Sequence, residues 1–301
     1  VFGAFPFVLS GSIPSFVDAL FETVSGFTTT GATLVNNVEA LPKGILFWRS
    51  FTHWIGGMGI LVFTVAFLPV VGGFQMFKAE SPGPTADRFV PRIKDTAKIL
   101  YTTYIALTII ELVLLLLGGM NFFESAVHTF GTVGTGGLST RGASIGAYNS
   151  TYIHLVIAVF MTLGGINFSL YYALLKGKWR DVLKDQELIL YLGIILVSTV
   201  LIALNLKSTL YERFGLALRD AFFQVSSIIT TTGYATTDFD LWPAFSKAVL
   251  FLLMFVGGCA GSTSGGIKVI RILVLLKLIK REVKKIFHPR AIISIRIGGD
   301  K

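Results

Sequence analysis

One cysteine, Cys259, occurs in 301 residues, which excludes an internal disulfide and leaves a thiolate metal site without partners. The four histidines, His53, His128, His154 and His288, keep no ligand spacing, so neither a metal centre nor histidine-based catalysis is indicated. Charge is scarce: 14% of residues are charged against 53% apolar, with a mean hydropathy of +0.72. That balance excludes an ordinary soluble domain and marks an integral membrane protein. No charged n-region precedes the apolar residues 1–9, so they are not read as a signal peptide. They are also too few to cross a bilayer, which needs about 20 residues. They read as the end of a helix whose beginning is missing.

The formal net charge of +9 suggests nucleic acid until its placement is considered. Five of the 26 Lys and Arg residues fall within 78–98, four within 176–184 and ten within 268–301, leaving seven elsewhere. Basic residues gathered in a few loops between apolar stretches obey the positive-inside rule and mark those loops as cytoplasmic. The expected partner is therefore the lipid bilayer, with no nucleic acid.

What is present, three times, is one short pattern. Val-Ser-Gly-Phe-Thr-Thr-Thr-Gly-Ala-Thr at 24–33 returns as Phe-Gly-Thr-Val-Gly-Thr-Gly-Gly-Leu at 130–138 and as Val-Ser-Ser-Ile-Ile-Thr-Thr-Thr-Gly-Tyr-Ala at 225–235. Each copy follows a short amphipathic segment that opens with an acid, and each precedes a long apolar one. Asp18 stands as far from Gly31 as Asp220 from Gly233; the second copy, read from Glu124 to Gly136, runs one residue shorter. A repeat of this kind indicates similar units stacked together. Threonine offers a carbonyl and a hydroxyl, and glycine reaches backbone angles closed to other residues, so such a loop can turn several carbonyls toward one axis and replace the water shell of a cation. A single copy would be an ordinary polar turn. Three copies in an apolar chain point to a shared axis.

The apolar runs divide the chain into units. The first covers 1–76, with a short helix at 15–23 and a span at 44–71, and a proline-bearing basic loop follows at 77–98. The second covers 99–175, with a span at 99–120, a short helix at 122–132 and a further span at 149–175. After a cytoplasmic loop at 176–187, the third covers 188–285, with a span at 188–206, a short helix within 211–229 and a last crossing from Pro243. Residues 286–301 form a cytoplasmic segment leading to an absent fourth unit. Glu111 lies inside a span, where a charge is costly; it reads either as a pore or coupling residue or as a carboxylate paired within the bundle. The glycine-rich run at 257–266 breaks the last crossing at membrane depth, which is tolerated only where protein encloses the backbone or a watery cavity meets it. Alternating crossings put the three Thr-Gly loops on the outer side. The expected fold is all-α and membrane-integral: repeated units of membrane helix, pore half-helix, filter loop and membrane helix around a central ion pathway.

The residues also resemble a known family. The runs Ser25-Gly26-Phe27-Thr28-Thr29-Thr30-Gly31-Ala32-Thr33, Thr230-Thr231-Thr232-Gly233-Tyr234-Ala235 and especially Gly257-Gly258-Cys259-Ala260-Gly261-Ser262-Thr263-Ser264-Gly265-Gly266-Ile267-Lys268 resemble the TrkH membrane subunits of Trk-type potassium uptake systems, a group related to the Ktr and HKT transporters. The resemblance covers nearly the whole chain. It implies four units around one path, each supplying a quarter of a selectivity filter. The filter residues would be Thr29, Thr30 and Gly31, then Gly134, Thr135 and Gly136, then Thr231, Thr232 and Gly233, with potassium as the transported ion. The second set departs in having Gly134 where the others have threonine. Gly258, Gly261, Ser262, Thr263, Ser264, Gly265 and Gly266 would form a gating loop below the filter. The resemblance further implies potassium uptake across the inner (cytoplasmic) membrane, no cofactor, a homodimer, and a TrkA-like cytosolic ring of nucleotide-binding regulatory subunits, met by the basic residues 78–98 and 277–296. With three units present, the sequence is expected to be a piece of a longer chain.

Functions of other classes compete. Residues 261–268 look like a Walker loop of a nucleotide hydrolase, but Ile267 separates Gly266 from Lys268, Val269 stands where a hydroxyl is needed, and no strand precedes. The chain is therefore not expected to be an enzyme. A sodium- or proton-coupled secondary transporter would often show inverted repeats; these units repeat in one orientation, which favours a channel-like path. A structural scaffold would leave the three loops unexplained.

Overall fold

The computed structural model describes residues 1–67 and 93–287. Residues 77–92 of the loop expected at 77–98 and residues 288–301 of the segment expected at 286–301 lie outside these residues, while 93–98 are already helical. In the first unit, α1 (Phe5–Leu9) leads into α2 (Phe16–Phe27) and α3 (Lys43–Phe67). The second contains α4 (Ile93–Leu117), α5 (Phe122–Val133), α6 (Thr151–Gly164) and α7 (Phe168–Leu175). A short α8 (Trp179–Leu183) precedes the third, which holds α9 (Gln186–Thr209), α10 (Phe214–Ile229), α11 (Ala244–Leu253) and α12 (Val269–Phe287). Among the described residues the only β pairing is an isolated parallel bridge between Val256 and Ile267.

Length separates two kinds of helix. Residues 97–117 of α4 and all of α9 are long and apolar enough to cross a membrane. They leave large apolar side chains exposed, among them Ile109 and Val113 on α4 and Leu196, Val197 and Leu204 on α9, as lipid-facing surfaces do. By contrast α2 and α5 have 12 residues each, a length of about 18 Å at the helical rise, so neither spans a core of about 30 Å.

Local sequence sets where the short helices begin. Ser15 accepts from the Asp18 N–H at 3.4 Å and Asn121 from the Glu124 N–H at 2.9 Å, and each arrangement leaves an acid against the positive end of its helix. The third helix departs from this expectation. It begins earlier, without a side-chain cap, and Asp220 lies in its second turn, buried, bonded to the Tyr211 hydroxyl at 2.9 Å and paired with Arg219.

Successive units pack side by side, with α5 against α3 and α10 against α6, so each of these short helices is wedged between its own unit and the one before. Lipid supplies no hydrophobic drive for such contacts, so close approach of backbones must do it. Gly56 shows how close: a methyl there would lie 2.3 Å from the Phe27 carbonyl oxygen. Leu115, Ile157, Met161, Phe223 and Tyr234 seal the second unit to the third. Glu111 is fully buried beside Thr132 and, contrary to one expectation, makes no ion pair among the described residues.

The span expected at 149–175 is not one helix. α6 and α7 meet at 94° around Gly165, Ile166 and Asn167. A break at membrane depth frees backbone groups that must find partners. The carbonyls of Thr162, Leu163 and Gly164 accept from the hydroxyls of Tyr191 at 3.0 Å, Tyr171 at 2.7 Å and Thr263 at 3.2 Å. The Gly165 carbonyl accepts from the Cys259 N–H at 2.8 Å, and the Phe168 N–H donates to Gly261 at 3.1 Å. Each of the two interrupted crossings thus satisfies backbone freed by the other.

Candidate functional site

Beyond the C-termini of α2, α5 and α10 the chain follows one path three times. Thr28, Gly134 and Thr230 are the C-caps. Next come Thr29, Thr135 and Thr231, each in the left-handed region with φ of 55°, 55° and 56°. A β-branched residue is strained there, so its recurrence at one position marks a conformation imposed by the fold. The N–H groups of Thr30, Gly136 and Thr232 then reach back to the carbonyls of Ser25, Gly131 and Ser227, each at 2.9 Å. Last come Gly31, Gly137 and Gly233, with φ of 74°, 72° and 88°.

This register corrects the sequence reading of the second copy. Gly134 is a helix cap, equivalent to Thr28 and Thr230, and Gly137, not Gly136, matches Gly31 and Gly233. Glu124 to Gly137 then has the same length as Asp18 to Gly31, so the short second copy disappears.

The three segments meet. A methyl on Gly31 would lie 2.3 Å from the Gly136 carbonyl oxygen, and one on Gly137 would lie 1.8 Å from that of Thr232. Thr30, Gly31, Gly136, Gly137, Thr231, Thr232 and Gly233 line a common cavity of about 250 Å³. None of the nine carbonyl oxygens of 29–31, 135–137 and 231–233 accepts a hydrogen bond from the described residues. Backbone acceptors left free in an apolar protein normally find a partner. Here seven of the nine residues, all but Thr29 and Thr135, line that one space.

Buried polar side chains stand behind the segments. Arg49, 1% exposed, donates through Nε to Glu22 Oε1 at 2.8 Å and through Nη2 to the Thr33 hydroxyl at 2.7 Å. The His53 ring packs flush against Gly136, where a methyl would lie 2.1 Å from Nδ1. Sequence reading missed both residues, since Arg49 lies 27 residues past Glu22 and the His53 ring meets a segment of the next unit, 83 residues on.

The glycine-rich run lies directly against the segments. Its feet close on each other, with the Gly257 N–H donating to Ile267 at 2.9 Å and the Val269 N–H to Gly258 at 3.1 Å. Its tip carries Thr263, which donates to the Val133 carbonyl at 3.1 Å, and Gly265, whose N–H donates to the Thr231 hydroxyl at 2.7 Å. Inside the run, Ser264 accepts from the Gly258 N–H at 2.9 Å and Ser262 donates to the Cys259 carbonyl at 2.6 Å. Lys268 Nζ donates to the Ser264 carbonyl. Gly261, at φ 69°, abuts Asn167, and Gly266, at φ 71°, abuts Gly257. From α9, Glu187 accepts the N–H groups of both Ala260 and Ile270 on one oxygen, at 2.7 and 3.1 Å. Sequence reading missed Glu187, which lies far from the run along the chain.

Comparison with known proteins bears on this arrangement. The family described as TrkH, cation transport protein, matches residues 2–301. The "Trk system potassium uptake protein TrkH" of Salmonella typhimurium is 43% identical over 303 residues, covering 99% of this chain and 63% of that protein. The "Trk system potassium uptake protein TrkG" of Escherichia coli is 39% identical over 308 residues, with the same shares. The crystal structure of the potassium transporter TrkH from Vibrio parahaemolyticus aligns with a TM-score of 0.86 at 40% identity, over 99% of this chain and 62% of that one. The chain thus spans less than two thirds of the length of the relatives it matches.

Proposed function

The chain belongs to the TrkH family of cation transport proteins, and from that premise we propose that it serves potassium uptake through a channel-like path in the cytoplasmic membrane. The observation that carries the reading is that the nine carbonyl oxygens of the three segments accept no hydrogen bond from the described residues, while Thr30, Gly31, Gly136, Gly137, Thr231, Thr232 and Gly233 line one cavity. Carbonyl rings suit a large monovalent cation, because they replace its hydration shell without fixed negative charge. The filter then comprises Thr29, Thr30 and Gly31, Thr135, Gly136 and Gly137, and Thr231, Thr232 and Gly233. The three loops face outside, as the basic loops require. The run 257–267 is the barrier below them.

The three units at 1–76, 99–175 and 188–285 work within a longer protein that supplies the remaining wall. A homodimer and a TrkA-like nucleotide-binding subunit at the cytosolic face complete the proposal; the relatives' naming as Trk system proteins supports a partnership within such a system and no more. The test is potassium-limited growth of a host without its own uptake systems, carrying the full-length protein, with rubidium and sodium uptake measured in parallel. Growth with rubidium uptake well above sodium uptake is expected. Normal membrane expression without growth or cation uptake would refute the function. Uptake that stops when the sodium or proton gradient is removed would favour the coupled transporter.

A further inference from the structure

The three segments repeat at offsets of 106 and 202 residues, and one position within the preceding helix keeps its place while changing its chemistry. Glu22 on α2, His128 on α5 and Gln224 on α10 each stand nine residues before the positive-φ glycine of their segment. All three are buried, at 2%, 0% and 2% exposure. In the first unit, Glu22 accepts the Thr33 hydroxyl on Oε1 at 2.9 Å and the Leu34 N–H on Oε2 at 3.2 Å. In the second, His128 Nδ1 lies 2.7 Å from the Glu124 carbonyl, which can only accept, so Nδ1 carries the proton. Nε2 is then the acceptor for the Ser139 hydroxyl at 3.0 Å. Thr33 and Ser139 are equivalent positions, two residues past the glycine.

The third unit has Ala235 at that position, which offers no hydroxyl, and Gln224 Oε1 takes no hydrogen bond among the described residues. Its outer end is held differently. Tyr234 donates toward the carbonyls of His128 and Leu138, each at 3.2 Å, and the Ala235 N–H donates to the Ser144 hydroxyl at 3.2 Å.

We infer that Glu22–Thr33 and His128–Ser139 are paired positioning residues that fix the outer ends of the first and second segments and thereby set cation preference. Each segment is already tied at its inner side by the 2.9 Å bond from Thr30 or Gly136 to the helix. The side-chain tether adds a second point, three residues on, and with both ends fixed the intervening carbonyls cannot close onto a smaller ion. Without the outer tether the second segment, which has Gly131 where the first has Ser25, can close, and the first keeps at its outer end the Ser25 hydroxyl's bond to the Ala32 carbonyl at 2.6 Å. This rests on the proposed role of the segments as the ion path.

The test uses the full-length protein in proteoliposomes, comparing rubidium with sodium uptake. Ser139 is only partly buried, so Ser139→Ala removes the hydroxyl with little risk to folding. A fall in rubidium preference of about three- to tenfold is expected, the range of one lost hydrogen bond, with parental protein yield. Ser139→Thr should restore the preference, a rescue that a merely structural role would not produce. Thr33→Val should act like Ser139→Ala in the first unit. Parental preference in Ser139→Ala and Thr33→Val, with a shifted preference in Gly233→Ala, would overturn the tether and spare the ion path. Parental preference in all three would overturn both.

Discussion

The hydroxyl of Thr135 lies 3.0 Å from the carbonyl oxygen of Thr263, tying the middle loop segment to the tip of the glycine-rich run. The same hydroxyl is 2.7 Å from the Gly134 carbonyl, so two acceptors share one proton. A run that withdraws from the path must break this contact and the bond from Gly265 to Thr231. Movement of the barrier and the shape of the segments are therefore linked at two points.

Thr263→Ala should raise cation flux. The hydroxyl serves the carbonyls of Val133 at 3.1 Å and Gly164 at 3.2 Å, and losing a bond worth about 1 kcal/mol shifts a closed-to-open ratio severalfold. Rubidium efflux from proteoliposomes checks this. A normally expressed variant with unchanged or reduced flux would count against the barrier.

Glu187→Ala should loosen the run at both feet. It strands two buried N–H groups, those of Ala260 and Ile270, at roughly 1–3 kcal/mol each. Hydrogen–deuterium exchange of these amides should quicken by at least about tenfold, and less in Glu187→Gln, which keeps an acceptor. Equal exchange in parent and both variants would show that Glu187 does not anchor the run.

Gly137→Ala should be far more damaging than Gly233→Ala. At Gly137 the added methyl would stand 1.8 Å from the Thr232 carbonyl oxygen, whereas nothing lies within 4 Å of one at Gly233. Gly233→Ala then bears only the backbone cost of its positive φ, about 1–2 kcal/mol. The first variant should lose potassium-limited growth, and the second should retain it with weaker discrimination against sodium. The reverse order would contradict the register that matches Gly137 with Gly31 and Gly233.

Arg49→Leu should destabilise the protein strongly, since it leaves Glu22 charged and unpaired at 1% exposure, a loss of about 3–5 kcal/mol. Glu22→Gln combined with Arg49→Leu should recover much of the melting temperature. A single variant that melts like the parent would show that the Arg49–Glu22 pair does not hold the first segment.

The repeat made much of this legible in advance. Thr-Gly at three places, each behind a short segment opening with Asp18, Glu124 or Asp220, predicted the three half-helices and their loops. The second register was missed because Gly134, Gly136 and Gly137 offer three glycines to a match by letter, and only backbone angles decide among them. The break between α6 and α7 was missed for another reason: Gly165, Ile166 and Asn167 interrupt an apolar run too briefly to end a helix by composition. What ends it is a partner about 95 residues away, the 257–267 run, whose Thr263 hydroxyl and Cys259 N–H take up the carbonyls of Gly164 and Gly165, while Tyr171 and Tyr191 take up the two before them. Glu22, His128 and Glu187 carry no local motif, and only alignment of the three units or the folded chain brings them to notice.

The most direct test is to locate the cation. Crystals of the full-length protein grown in rubidium should show an anomalous peak in the cavity bounded by 29–31, 135–137 and 231–233, in direct contact with at least one backbone carbonyl oxygen from each segment. Rubidium bound elsewhere with this cavity vacant, or held there by side-chain carboxylates instead of backbone carbonyls, would contradict the account.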